Sequence, residues 1–245
     1  MNVDRNIIDQ MRAITISREY GSGGGEIAHR LAERLEWRLV DHEVVVRIAH
    51  ELGITEEEAD AHDERVESLT SRILASMPLA APIGYVEAGM AMATNPQLYR
   101  EALVRVVQGA AETGHVVIVG RGSQLVLANR RDVLHVRIIA PLEQRIPYVM
   151  NREGLDQNTA RSRIQVKDHD RQRYLQEEYR RRPDDASLYD ITISTGILDL
   201  DAAVDLIVLV LQRKAERLSV PTGQLGPATG LPRYPGHPGD IRSPK

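Results

Sequence analysis

A short run of β-branched and small residues, Ala13-Ile14-Thr15-Ile16-Ser17, passes directly into Arg18-Glu19-Tyr20-Gly21-Ser22-Gly23-Gly24-Gly25-Glu26. Behind it Ile27, Leu31 and Leu35 recur at helical spacing, with Ala28 and Ala32 beside them. The pattern predicts a buried strand, a glycine-rich loop and a helix from about 24 to 36. Four glycines within five residues exceed what a plain tight turn needs. Glycines let backbone N–H groups turn inward, and a helix N-terminus favours an anion. Gly21, Ser22, Gly23, Gly24, Gly25 and Glu26 therefore read as a phosphate cradle.

The loop departs from both common phosphate-binding fingerprints. A Walker loop, G-x-x-x-x-G-K-[ST], would place its lysine where Gly24 stands and its hydroxyl where Gly25 stands. The dinucleotide pattern G-x-G-x-x-G fails because Glu26 holds the last position. The missing positive charge must come from elsewhere, and Arg18 is the nearest candidate.

Further strands are predicted at 38–41, 115–120, 132–140 and 190–195. Helical patterns separate them: Val44 to Leu52, a capping box at Thr55 and Glu58, then 97–113, 141–152, about 156–182, and a last helix capped by Asp201. The proline- and glycine-bearing stretch from Met77 to Pro96 reads as irregular. Short strands alternating with helices imply a parallel sheet covered on both faces. One α/β domain is expected from about 11 to 218, with a Pro- and Gly-rich disordered tail from 219 to 245.

Composition narrows the chemistry. The chain has no Phe and only 4% aromatic residues, so its core must be aliphatic. It has no Cys, which excludes disulfides, thiolate metal sites and a Cys nucleophile. A net charge of -4 does not suit a nucleic acid polymer as partner. The eight His show no ligand spacing, so no metal site is expected from them. The longest apolar run, Leu206 to Leu211, is too short to cross a bilayer. A cytoplasmic protein without membrane attachment is expected.

The segment ITISREYGSGGGEIAHRLAERLEWRLVD resembles the opening of the cytidylate kinase-like family, a divergent branch of the P-loop nucleoside monophosphate kinases. Three further blocks follow in order: VDHEVVVRIA, VVIVGRGSQLVL, and DHDRQR with SLYDITIST. The resemblance implies a three-layer P-loop kinase fold with a five-stranded parallel sheet. It also implies a helical acceptor-binding insert, here about 54–112, and a lid at about 152–175. It implies ATP and Mg2+ as cofactors and phosphoryl transfer to a small phosphate-bearing acceptor, most simply a nucleoside monophosphate such as CMP. Asp41, Arg47, Arg121 and Asp170 fall on acceptor-binding positions. Arg121, Arg171 and Arg173, together with Arg18, fall to the transferring phosphate.

The match has gaps. His42 and Glu43 replace a small pair, Val46 replaces a Tyr, Gly122 stands for an Asp, and Val166 stands for an Arg with Lys167 beside it. Asp41 can also be read as a helix cap. Two other functions therefore stay open: a non-catalytic nucleotide-binding module, or a kinase of another small molecule.

Overall fold

The computed structural model describes residues 5–41 and 96–226. Among these, five strands form one parallel sheet in the order β2-β3-β1-β4-β5. They are β1 Ala13–Arg18, β2 Arg38–Val40, β3 Val116–Val119, β4 Val133–Ile139 and β5 Ile191–Ser194. The helices are α1 Arg5–Ile8, α2 Gly24–Leu35, α3 Pro96–Thr113, α4 Ser123–Val126, α5 Leu142–Glu153, α6 Gln157–Tyr179 and α7 Leu200–Ala215.

The strands read as continuous apolar runs because helices cover both sheet faces. Successive side chains point to opposite faces. Ile14, Ile16, Val117, Val119, Leu134, Val136 and Ile138 pack with α2 and α7. Ala13, Val116, Ile118 and Val133 pack with Ala102, Val106 and Ala110 of α3. The core is aliphatic, as composition requires.

Several boundaries differ from the sequence reading. The folded part begins before residue 11, because Ile8 of α1 is buried in the α2–α7 core. Residues 96–112, expected within the acceptor insert, pack directly on the sheet as α3. Residues 54–95 of that insert, with the Thr55–Glu58 capping box, lie outside the described residues. Asp199, not Asp201, caps α7: its carboxylate accepts from Ala202 N at 2.7 Å, while Asp201 pairs with Arg30. Order also continues past 218. Arg131 donates to the carbonyls of Arg217 and Val220 at 2.7 and 2.8 Å, and a 3-10 turn follows at Thr222–Gln224.

Candidate functional site

The glycine loop leaves β1, the central strand, and enters α2 at Gly24. Gly21 and Gly23 take φ values of +80° and +77°, the left-handed region that glycine enters without steric penalty. Ser22 Oγ donates to Glu19 O at 2.9 Å, and Thr195 Oγ1 donates to Ser22 O at 2.9 Å. Tyr20 N donates to Asp168 Oδ1 at 2.7 Å. The loop is thus tied to β5 and to α6. The first N–H groups of α2 have no intrahelical acceptor, and the helix dipole adds positive potential there. Glu26 lies in that first turn, but its carboxylate pairs with Arg30 at 3.0 Å.

Arg18 ends β1 and lies across the start of α2. A Cβ built on Gly24 would fall 2.6 Å from Arg18 Cβ, and one on Gly120 would fall 2.3 Å from Arg18 Nη1. The side chain therefore runs from the loop toward the end of β3. Burial, and then the charges of Arg171 and Arg121, push the Arg18 pKa down to about 9, while Asp41 acts in the opposite sense. At neutral pH the guanidinium is charged and poorly compensated. Such a group gains from a bound anion.

Arg171 of α6 donates through Nη1 to Arg18 O at 3.2 Å and stacks over the Tyr20 ring at 5.3 Å. Its pKa is also lowered, chiefly by burial. Arg121 follows β3 with φ +59°, between Gly120 and Gly122, which are also left-handed. A non-glycine residue there costs about 1–2 kcal/mol. Such local strain concentrates where a side chain must be aimed at a ligand.

Arg145 holds this arrangement from below. Its Nη1 donates to Asp168 Oδ2 at 2.5 Å and to Tyr20 O at 3.1 Å. Glu19 accepts from Ala140 N at 3.0 Å, and Tyr20 OH bonds to Glu153. Arg145 and Asp168 carry little signal in the sequence, because charged residues on helices are normally solvated.

Of the sequence-predicted residues, Arg18, Arg121, Arg171 and Asp41 come together at the carboxyl edge of the sheet. Asp170 and Arg173 pair with each other at 3.3 Å on an exposed part of α6. Arg47 lies outside the described residues. One departure from the family pattern acquires a reason. A Cβ on Gly122 would meet Tyr179 Cε2 at 2.6 Å, so that ring occupies the space of a larger side chain. Val166 is 57% exposed on α6.

The residues fit a nucleotide's phosphates: Gly21, Gly23 and Gly24, which neighbouring side chains forbid from enlarging, a helix N-terminus, and clustered arginines. For Mg2+ the protein offers less. Among the described residues no group of three His, Asp or Glu could hold a metal ion. Gly25 supplies no hydroxyl, which leaves Asp41 as a carboxylate on this edge. Mg2+ usually keeps several waters and substrate phosphate oxygens as ligands, so a sparse protein set suffices.

A parallel sheet of this order, with a glycine loop after its central strand and arginines at the strand ends, defines the chain as an α/β protein of the P-loop kinase class. The model of the cytidylate kinase-like family matches residues 13–197, and the chain belongs to that family. It is 32% identical over 131 residues to the cytidylate kinase of Methanopyrus kandleri, covering 50% of this chain and 67% of that protein. It is 30% identical over 123 residues to the uronate isomerase of Corynebacterium glutamicum. That match covers 50% of this chain but only 23% of the relative's length. A solved structure of an uncharacterized protein from Eubacterium ventriosum superposes with a TM-score of 0.60 at 23% identity. It covers 82% of this chain and 98% of the other, a likeness of fold. Among the described residues no helix is long and apolar enough to cross a membrane.

Proposed function

We propose that this protein transfers the γ-phosphoryl group of ATP to a small phosphate-bearing acceptor, most simply a nucleoside monophosphate such as CMP. The observation that carries this reading is the placement of Arg18 over Gly24. The stem of Arg18, from the end of β1, fills the space that a Walker lysine side chain at 24 would enter, and its guanidinium reaches Gly120 at the end of β3. Phosphoryl transfer asks a protein chiefly for positioning and for positive charge on the transferring oxygens. Arg18, Arg171 and Arg121 supply that charge, and arginine forks pair bidentately with phosphate. Arg121 at the end of β3 stands on the acceptor side. ATP brings the transferable group and Mg2+ shields its charge. The protein is taken to act in the cytoplasm without a nucleic acid or membrane partner.

The test is ADP release by the purified protein with ATP, Mg2+ and a panel of nucleoside monophosphates. Turnover of one acceptor, lost in Arg18→Ala, supports the reading. Tight ATP binding with no turnover of any acceptor would favour a nucleotide-binding module, the alternative that the absence of a hydroxyl at Gly25 supports.

A further inference from the structure

Strand β4 reads Val133-Leu134-His135-Val136-Arg137-Ile138-Ile139, and an arginine interrupts its apolar run. Arg137 stands beside Ser17 in the β1–β4 register. Its side chain is only 9% exposed. Nη1 donates to Ser17 Oγ at 3.0 Å, and the guanidinium lies 5.7 Å from the centre of the Tyr189 ring. Tyr189 OH donates to Pro183 O at 3.0 Å and lies within hydrogen-bond distance of Ser17 Oγ, at 3.2 Å. The hydroxyl and the ring thus fix the guanidinium in place.

No carboxylate pairs with Arg137 among the described residues. Arg145, equally buried, shows the usual solution: Asp168 sits against it. A buried cation without a counter-charge is costly, and an anionic ligand supplies one. Arg137 also lies close enough to Arg171 for its charge to lower that residue's pKa. Asp168 pairs with Arg171 at 3.7 Å, so Arg137 is the one of the two that has no carboxylate among the described residues.

Its side of the sheet is informative. Ser17 and Arg137 share their face with Thr15 and His135, whose side chains meet at 2.8 Å. Ile14, Ile16 and Ile138 point the other way, toward α2 and the glycine loop. An anion on Arg137 would lie on the far side of the sheet's carboxyl edge from α2, across from a nucleotide held by the loop.

We infer that Arg137, oriented by Ser17 and Tyr189, is a binding residue for the acceptor's phosphate group. This inference rests on the phosphotransfer reading above. It assigns the acceptor's anion to β4, a strand that none of the sequence-predicted site residues occupies.

The test uses the full chain with saturating ADP and reads the rise in Tm as inorganic phosphate is added. Arg137→Met, which keeps bulk and removes charge, should weaken phosphate by about 10- to 100-fold, as expected for a lost charge-assisted contact. Its ADP affinity by calorimetry should stay within about twofold. Arg137→Lys should fall between Met and the parent because it keeps the charge and loses the fork. An unchanged phosphate midpoint in Arg137→Met overturns the inference. So does a large ligand-free fall in Tm for both variants, which would make the arginine a structural prop. Failure of the parent to bind ADP would instead strike the phosphotransfer reading. A phosphate response carried by Arg137 would survive that result.

Discussion

Arg18 and Gly24 compete for one volume: a Cβ at residue 24 would lie 2.6 Å from Arg18 Cβ and 3.2 Å from its Cγ. Gly24→Ala should therefore displace the arginine and weaken ATP binding. Arg18→Ala should cut turnover by roughly 30- to 1000-fold, the cost of about 2–4 kcal/mol of lost electrostatic stabilisation. The double variant Arg18→Gly/Gly24→Lys removes the clashing Cβ at 18 and returns a positive charge from 24. It should bind ATP more tightly than Arg18→Gly alone, a coupling measurable as a double-mutant cycle by calorimetry. Strict additivity would show that the two positions do not share a volume.

Gly25 offers a cleaner probe of the cradle than Gly23. A Cβ on Gly23 would meet Leu200 Cδ2 at 2.6 Å with the backbone already left-handed, so its enlargement disturbs packing as well as phosphate. A Cβ on Gly25 meets nothing within 4 Å. Gly25→Ser should raise stability by about 0.5 kcal/mol through helix propensity. It should also tighten Mg2+-ATP by supplying the absent hydroxyl. Thermal melts and calorimetry with and without Mg2+ read both effects, and a lower Tm would place unseen packing at residue 25.

Arg121 trades backbone strain for the aim of its side chain. Arg121→Gly should relieve the φ of +59° and leave Tm unchanged or higher, while turnover falls by roughly 30- to 1000-fold. Arg121→Lys should be impaired less than Arg121→Ala. Full activity in Arg121→Gly would remove the residue from the site.

His135 makes stability depend on acidity. Burial is the first cause that lowers its pKa from 6.5 to about 4; Asp190 opposes this and Lys214 adds to it. The folded-state pKa lies below the unfolded one, so the unfolded chain binds the proton more readily in that interval. Stability should fall as pH drops from 6.5 toward 4, by on the order of 3 kcal/mol from this group. Asp190 and Lys214, which ion-pair at 2.5 Å, are the charged neighbours. Chemical denaturation at pH 7 and pH 5 should show a smaller difference in His135→Gln than in the parent. Equal pH slopes would assign the acid sensitivity elsewhere.

A chain stopped after residue 226 should keep the parent Tm, because the remaining sequence is Pro- and Gly-rich with few large apolar residues. Stopping after Ser219 also removes the Val220 carbonyl that Arg131 holds at 2.8 Å. That loss should cost about 1 kcal/mol, read as a fall of a few degrees. Identical melts for the two truncations would show that the Arg131 contact contributes nothing.

The sequence alone determined the alternation of strands and helices, the glycine loop and the aliphatic core. Those features rest on local periodicity and backbone freedom, which are written residue by residue. It also pointed to Arg18 and Arg121, since both directly follow or end apolar strands. Tertiary structure decided what periodicity cannot encode. It set Arg18 over Gly24, joined Arg145 to Asp168 across 23 residues, and placed Arg137 against the Ser17 hydroxyl and the Tyr189 ring. It turned Asp170 and Arg173 toward each other on the exposed part of α6. A charged residue's role depends on which side chains meet it after burial, and that is fixed by the packing of distant segments rather than by its neighbours in the chain.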